Sequence, residues 1–354
     1  MISTNKLNSG IRGFLLMGFL FFTPIITKAF DVNPLFISDE VLMIEIRADF
    51  SSIEIDRTSN PKEYQGVLLY FSPEGTETRF NVTLTTRGKF RLQAENCSFP
   101  PLLINFRKSE VKNTIFEGQN KLKLVTPCRE ESDVLDEYTV YKMYNLISDL
   151  SFGVRLAVIK YFNSTNSSVM FRKLSFFIED KDHVAERNGY KEYLKFLTPF
   201  NIEDDNYKKL SLFEYMIGNL DWSVVSRQNI DIFISEDSNL APVAVPYDFD
   251  FSGFVDAHYT KPKDVPEELL TERRAFRGIC YTPEELEEVF IFFRNLKPEL
   301  EAVIRKQDLY KTAEKSVLLS YIRRFYRIIN NPRLVRREFI ENCQTRKDYN
   351  IEEN

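Results

Sequence analysis

The chain has little histidine and little glycine for its length, and each shortage excludes a common kind of functional site. Its 354 residues include two histidines, His183 and His258, and 12 glycines. Two histidines cannot build a multi-histidine metal site, and neither lies in a nucleophile motif, so Ser-His-Asp and Cys-His catalysis fit poorly. The glycines form no GxGxxG loop, so the chain lacks the glycine-rich cover that many proteins place over bound phosphates.

The N-terminus has the layout of a secretory signal peptide. Two basic residues precede an apolar run at 13–22, and small residues at 27–29 supply a cleavage site. The run is short and Pro24 interrupts its continuation, which argues against a membrane span. We therefore expect removal of residues 1–29 and export to the periplasm, the cell surface or the medium, with no stable membrane span afterwards. The weaker alternatives are an uncleaved anchor and lipidation, for which no cysteine follows the run.

Removal of that segment makes the chain more acidic. The net charge changes from −5 to −8, because the segment contains three basic residues and no acidic one. This excess of negative charge argues against a partner held through phosphate contacts, so we expect no nucleic-acid partner.

Export also affects how the four cysteines are interpreted. In an oxidising compartment they can form two disulfides, with three possible pairings among Cys97, Cys128, Cys280 and Cys343. We predict Cys97–Cys128 and Cys280–Cys343, each pair within its own half of the chain. A zinc site is the weaker alternative, because the sequence has no CxxC pair.

The first half of the chain reads as β-rich. Short aliphatic and β-branched runs between turn residues predict strands at 42–48, 66–71, 79–86, 102–106 and 122–125. A helix capped by Ser132 or Asp133 follows them. A β-hairpin at 157–162 and 169–179 comes next.

The second half reads as mainly helical. The spacing of apolar residues predicts helices at 190–197, 209–219, 283–296, 298–308, 313–330 and 333–343. We therefore predict an α+β fold with two lobes. The β-rich small lobe would span 30–180 and the helical large lobe 181–343, with a polar tail at 344–354. A cleft between such lobes is where small ligands bind.

One stretch, from Tyr215 to Gly253, concentrates polar side chains around two strand-like runs. Asp221 and Asn229 precede the run at 230–235, and Asp248 and Asp250 follow the run at 241–247. Hard cations such as Mg²⁺ prefer oxygen ligands, and an Asp, an Asn and a further Asp in this order is a layout used in phosphoryl transfer. The alternative interpretation is that each Asp stabilises a turn.

Asp248 and Asp250 lie two residues apart. On an extended segment both carboxylates would face the same side, where they repel unless they share a cation or a proton. This spacing favours a metal ligand pair over two separate turn residues, and it leaves open whether Asp250 itself binds the metal.

Four motifs in order give the chain a resemblance to a known family. They are Thr86-Arg87-Gly88 followed by Cys97-Ser98-Phe99-Pro100, Lys121-Leu122-Lys123-Leu124 followed by Asp136-Glu137-Tyr138, Phe177-Ile178-Glu179-Asp180 followed by Arg187-Asn188-Gly189, and Asn219-Leu220-Asp221 with Asn229 and Asp248. Together they resemble the CotH-type spore-coat kinases, atypical members of the protein-kinase-like superfamily. The resemblance covers about half of the chain, from Thr85 to Gly253.

The resemblance implies a protein-kinase-like fold, ATP with Mg²⁺ or Mn²⁺, and a role for each matching residue. Asp221 would position the acceptor hydroxyl and take its proton late, and Asn229 and Asp248 would hold the metal. Lys123 would contact phosphate with Glu137 as its partner.

Two further positions complete this set. Glu179 would mark the segment whose backbone receives adenine. Arg87 would contact a phosphate, or form a structural ion pair instead. Lys121 and Lys89 compete with Lys123 for the phosphate role, and the chain has Pro101-Leu102-Leu103 where the family has lysines.

The expected function is therefore an exported atypical kinase that transfers the γ-phosphoryl group of ATP to a protein Ser/Thr or to a small hydroxylated acceptor. The alternative is a non-catalytic, pseudokinase-like binding module of the periplasm or cell surface. A third interpretation is an exported structural domain whose aromatic surface binds glycan or protein.

Overall fold

The structure is a computed structural model that describes residues 1, 33–166, 168–236, 240–260 and 274–351. The chain from Val32 to Asn354 forms one compact unit. The predicted signal peptide lies outside the described residues, except for Met1. Within the described ranges, no helix is both long enough and apolar enough to cross a membrane.

Seven strands in the first half close into a barrel. They are β1 (Leu42–Ala48), β2 (Tyr64–Phe71), β3 (Glu77–Thr86), β4 (Leu102–Phe106), β5 (Lys121–Val125), β6 (Val154–Asn163) and β7 (Ser168–Ile178). Their order is β1-β2-β3-β4-β5-β7-β6, and β6 closes the barrel by pairing in parallel with β1. The predicted strands and the predicted hairpin are confirmed. A short helix, α1 (Phe50–Ile55), connects β1 and β2.

Aromatic side chains fill the barrel. In β3, Phe80, Val82 and Leu84 alternate with more exposed neighbours and are buried. The ring of Phe116 packs edge-on against Phe80 with 5.2 Å between centroids. Such pairs add to the stabilisation from buried apolar area, so the phenylalanine-rich composition is used in the core.

One helix of the first half reaches the candidate site. Helix α2 (Glu131–Tyr144) packs on β7 and buries the side chains of Glu137 and Tyr141. The predicted caps, Ser132 and Asp133, are wrong, because both lie inside the first turn and the N-cap position is Glu130. The carboxylates in that first turn still interact favourably with the positive end of the helix.

The second half is mainly helical and contains a small sheet. Its helices are α3 (Lys181–Arg187), α4 (Asp204–Ile217), α5 (Pro283–Lys306), α6 (Thr312–Ile329) and α7 (Pro332–Val335), followed by a π-helical turn at Arg336–Ile340. The strands β8 (Tyr190–Glu192), β9 (Ile230–Ser235) and β10 (Val243–Pro246) form an antiparallel sheet in the order β10-β9-β8.

The predicted α+β class is confirmed, with a β-rich first half and a mainly helical second half, while the kinase-like type of the fold stays a prediction. The exact limits of the two lobes, and the tail after residue 343, stay predictions.

Three helix predictions in this half need correction. The helix predicted at 190–197 is wrong, because Tyr190–Glu192 pairs with β9 as an edge strand. The helices predicted at 283–296 and 298–308 are one helix, which contains Pro298. The helix predicted at 333–343 ends early and continues as the π-helical turn. Sheet pairing and helix packing thus outweighed the local spacing of apolar residues.

Both predicted disulfides are confirmed, and among the described cysteines none is free. Cys97–Cys128 joins the β3–β4 connection to the segment between β5 and α2. Cys280–Cys343 joins the segment before α5 to the segment after the π-helical turn.

The C-terminal end of α4 connects the two segments that carry the candidate site. Gly218 ends the helix in the left-handed region, at φ 67°, as glycine commonly does. The N–H of Gly253 donates to the carbonyl of Gly218 at 3.0 Å. The segments that carry Asp221 and Asp248 are therefore tied to the same helix end.

Candidate functional site

Asp221 lies in a short loop that directs its carboxylate toward Asn229. The loop closes through paired backbone hydrogen bonds between Ser223 and Gln228. The side-chain N–H of Asn229 donates to the Asp221 carboxylate at 3.0 Å and to the Asp221 carbonyl at 2.8 Å. Gln228 donates to the same carboxylate at 3.3 Å. The predicted catalytic Asp and the predicted metal-binding Asn are thus in direct contact.

The β9–β10 hairpin brings Asp248 to this pair. The N–H of Tyr247 donates to the carbonyl of Asn229 at 3.0 Å, so the chain just after β10 runs beside the residue just before β9. Asp248 has φ 62°, and its N–H donates to the Tyr141 hydroxyl of α2 at 2.8 Å. A non-glycine residue held in the left-handed region is strained, and such strain concentrates at functional sites.

This backbone corrects the expectation of an extended segment. Because Asp248 is left-handed and Phe249 begins a turn, Asp248 and Asp250 do not face one side by strand alternation. Asp250 is instead buried, and it accepts a hydrogen bond from Tyr259 at 2.8 Å. Burial, with the Asp248 carboxylate nearby, raises the pKa of Asp250 to about 7.

A third carboxylate comes from α2. Glu137 is 2% exposed, and one of its carboxylate oxygens has no hydrogen-bond partner among the described residues. Burial raises the pKa of Glu137, and the carboxylates of Asp250 and Asp248 raise it further. Asp248, Asp250 and Glu137 therefore form one acidic cluster whose members repel each other.

Two guanidinium groups from the loop after β3 face this acidic cluster. Arg91 lies 3.8 Å from Glu137 and also donates to the carbonyl of Thr126. Burial opposes the charge of Arg91, but Tyr259, Asp250 and Glu137 together hold its pKa above its usual value.

Arg87 takes part in the same electrostatic group. Burial lowers the pKa of Arg87, while the Asp248 carboxylate opposes that shift. With two guanidiniums against three carboxylates, the cluster has an unbalanced negative charge when all its groups are ionised. Such a cluster either retains protons, as the raised pKa values of Asp250 and Glu137 indicate, or shares a further cation.

Lys123 does not pair with Glu137 in the described part of the chain. It lies on β5 and is partly buried. Burial and the Arg87 guanidinium lower the pKa of Lys123, while Asp180 and Asp231 are the carboxylates that oppose the shift. Arg91 therefore occupies the place beside Glu137 that the resemblance assigns to a lysine.

Glu179 is used for structure at the end of β7. Its carboxylate accepts hydrogen bonds from Arg187 at 3.0 and 3.1 Å and from the N–H of Gly153 at 2.9 Å. Its own N–H donates to the carbonyl of Gly153 at 2.9 Å. These bonds fix the connection between β7 and α3, and they occupy both the side chain and the N–H of Glu179.

Sequence reasoning missed three members of this site, which are Arg91, Tyr141 and Tyr259. Tyr141 had a detectable signal, because it lies four residues after Glu137 and therefore on the same face of α2. Arg91 and Tyr259 had no such signal, because they lie in a loop and in a three-residue 3-10 helix, and they approach the site only through tertiary folding.

A metal ion at Asn229 and Asp248 would need further oxygen ligands from outside the described residues to complete its coordination. No group of three or more His, Cys, Asp or Glu side chains is arranged to hold a metal ion among the described residues. Mg²⁺, however, is commonly bound by one or two carboxylates together with substrate phosphates. The Asp248 carboxylate has no hydrogen bond or ion pair within the described ranges, and the preceding residue, Tyr247, donates its N–H to the carbonyl of Asn229.

Comparison with known proteins identifies no family for the chain. No family model and no curated protein matches the chain. Among solved structures, the chain is similar to the crystal structure of a Helicobacter pylori proinflammatory kinase, CtkA. The TM-score is 0.34 at 10% identity, over 65% of this chain and 88% of that chain. A similarity of this size assigns no activity and no residue to the chain.

Proposed function

We propose that the chain is an exported, CotH-like atypical kinase that transfers the γ-phosphoryl group of ATP to a protein Ser/Thr or to a small hydroxylated acceptor. One observation carries the proposal. Asp221, Asn229 and Asp248 come from two separate segments, and hydrogen bonds at the base of the β9–β10 hairpin bring them together.

Each residue of that group has a role that its contacts support. The Asp221 carboxylate would orient the acceptor hydroxyl and accept its proton, and the hydrogen bond from Asn229 holds this carboxylate in place. The Tyr141 hydroxyl accepts a hydrogen bond from the N–H of Asp248 and thereby helps to fix the backbone from which the Asp248 carboxylate extends.

Asn229 and Asp248 would hold Mg²⁺ or Mn²⁺, and buried Asp250 would shape the segment or complete the ligand set. The bound metal would neutralise the charge of the phosphates. Arg87 and Arg91 would face the same charge from the small lobe, and the segment at Glu179 would border the adenine.

The alternative, a non-catalytic binding module, has one observation in its favour. The expected Lys123–Glu137 pair is not among the ion pairs of the described residues, and Glu137 lies beside Arg91 instead. A site that has lost its phosphate-contacting cation would bind nucleotide weakly and would transfer no phosphoryl group.

Thermal unfolding with ATP and Mn²⁺ tests nucleotide binding. A ligand at 100 times its Kd stabilises the native state by about 2.7 kcal/mol, which raises the Tm by about 4 °C in a chain of this size. We expect this shift for the wild type and its loss in Asp248→Asn. The matched control is Asp308→Asn, an exposed residue between α5 and α6 that should shift like the wild type.

Each Tm shift is measured against the same variant without ligand, since removing a repelling carboxylate also changes the unliganded Tm. A full shift in Asp248→Asn would show that Asp248 is not a metal ligand. No shift in the wild type would rule out both nucleotide hypotheses.

Transfer from ATP labelled at the γ-phosphate then separates the kinase from the binding module. A labelled product that depends on Asp221, measured with Asp221→Asn, supports the kinase. Binding without transfer, across protein and small hydroxylated acceptors, supports the module.

Export is tested separately by cell fractionation and by sequencing the mature N-terminus. We expect the mature chain to begin at Phe30. Cytoplasmic protein that keeps its first 29 residues would contradict export.

A further inference from the structure

The buried carboxyl group of Glu137 has one basic side chain within ion-pair distance among the described residues, and this side chain is Arg91. One Glu137 oxygen lies 3.8 Å from an Arg91 nitrogen, while the other has no hydrogen-bond partner among the described residues. A buried polar oxygen without a partner is uncommon, and a bound water, ion or ligand group is one way in which such an oxygen is satisfied.

Arg91 is held firmly in this position. One terminal nitrogen donates to the carbonyl of Thr126, and the side chain is 13% exposed. Its Nε has no hydrogen-bond partner in the described part of the chain. The guanidinium therefore retains a donor that faces neither Glu137 nor Thr126.

The loop that carries Arg91 is fixed to the segment after Asp248. The ring of Phe90 packs against Phe251 and Tyr259, with centroid distances of 5.2 and 5.5 Å. On the other side of Arg91, the side chain of Arg57 donates to the carbonyl of Leu92 at 3.3 Å. The position of the guanidinium is thus coupled to the segment that carries the candidate metal ligand.

Lys123 lacks these features. Burial and the Arg87 guanidinium lower the pKa of Lys123, and the carboxylates that oppose this shift are Asp180 and Asp231. Lys123 has no ion pair within 4.0 Å among the described residues. No ion pair with Glu137 therefore orients Lys123 in the described part of the chain.

We propose that Arg91, oriented by Glu137, is the main cationic side chain that binds the nucleotide phosphates in this chain. The proposal rests on the proposed function. A guanidinium suits this role because its planar set of donors matches two phosphate oxygens at once, whereas an ammonium acts as a point charge. No lysine on β5 is then required for nucleotide binding.

Calorimetric titration of the full chain with ATP and Mn²⁺ tests the proposal. Loss of a charge-assisted hydrogen bond predicts at least a tenfold weaker Kd for Arg91→Met. We expect a smaller loss for Lys123→Met. The control is Arg129→Met, an exposed arginine that donates to the carbonyl of Glu95 and should bind like the wild type.

A double variant separates binding from folding. Arg91→Met alone leaves Glu137 buried without its cation, and this loss can destabilise the chain. Arg91→Met with Glu137→Met replaces the pair by apolar side chains of similar length, so its Tm should recover toward that of the wild type. Its Kd should stay at least tenfold weaker, while Arg91→Lys should restore part of the affinity.

Three results would decide against Arg91. A larger loss in Lys123→Met than in Arg91→Met would return the role to Lys123. Recovery of affinity in the double variant would show that the pair only supports the fold. Unchanged affinity in Arg91→Met, with normal binding by the wild type, would refute the inference and leave the proposed function intact. A wild type that binds no ATP would instead refute the proposed function, and the role of Arg91 with it.

Discussion

Glu214 allows a test of how burial affects the ionisation of carboxyl groups near the site. It is buried beside the loop that carries Asp221. It lies on α4 and is 0% exposed, and neither of its carboxyl oxygens reaches a hydrogen-bond partner among the described residues. Burial raises the pKa of Glu214 to about 8, and the Asp221 carboxylate adds to the shift while the Asn219 side chain opposes it. At neutral pH this side chain is therefore mainly protonated.

The sign of the effect on stability follows from the raised pKa. The folded chain retains a proton that the unfolded chain releases near pH 4.5, so the stabilisation by this proton is complete below pH 4.5. It is lost as the pH rises through about 8. Between these values the free energy of unfolding falls by about 1.4 kcal/mol per pH unit.

Over the whole window the loss amounts to about 5 kcal/mol as an upper value, which is a large part of the stability of an ordinary domain. Glu214→Gln keeps the shape of the side chain and removes the titration. Relative to the wild type, the Gln variant should therefore become steadily more stable from pH 5 to pH 8. Other buried carboxyl groups, such as Asp250, titrate in both proteins, so their contributions cancel in the difference between the two free energies of unfolding.

Urea unfolding of both proteins at pH 5, 6, 7 and 8 measures this difference. Glu299→Gln, an exposed position on α5, is the matched control and should follow the wild type at every pH. If the free energy of unfolding changes with pH in the same way in Glu214→Gln and in the wild type, the reasoning is refuted. That result would show that Glu214 ionises in the folded chain as it does in the unfolded chain.

Two further predictions concern the supports of the site. Tyr141→Phe removes the acceptor for the Asp248 N–H and should lower the free energy of unfolding by about 1–3 kcal/mol, measured in urea. Tyr138→Phe on the same helix is its control, and equal losses in both would contradict the role of the Tyr141 hydroxyl. Replacing both cysteines of Cys280–Cys343, which closes a loop across 63 residues, should cost about 4 kcal/mol. An unchanged Tm in that variant would show that the disulfide contributes nothing.

Local sequence patterns were sufficient to predict most of the strands and helices of the fold. Strands such as 79–86 are short, apolar and bounded by turn residues, and each of the predicted strands is present in the barrel. Both disulfides followed from pairing cysteines within each half of the chain. The prediction failed at Tyr190–Glu192, where pairing with β9 decides the conformation of only three residues.

The meeting of Asp221, Asn229 and Asp248 was also within reach of the sequence. A polar residue before one strand and another after the next must approach each other when the two strands form a hairpin. The strained backbone of Asp248 was not predictable, because it depends on the Tyr141 hydroxyl of a helix more than a hundred positions earlier.

The sequence by itself determined the α+β class, the disulfides and the polar residues that surround the β9–β10 hairpin, because these depend on periodicity and on neighbours along the chain. Only the tertiary structure decided which cation faces Glu137. Arg91 reaches it from a loop 46 positions away, and the packing of Phe90, the bond to Thr126 and the position of α2 place it there. Contacts of that kind leave no periodic trace in a sequence, since they arise where separate elements meet.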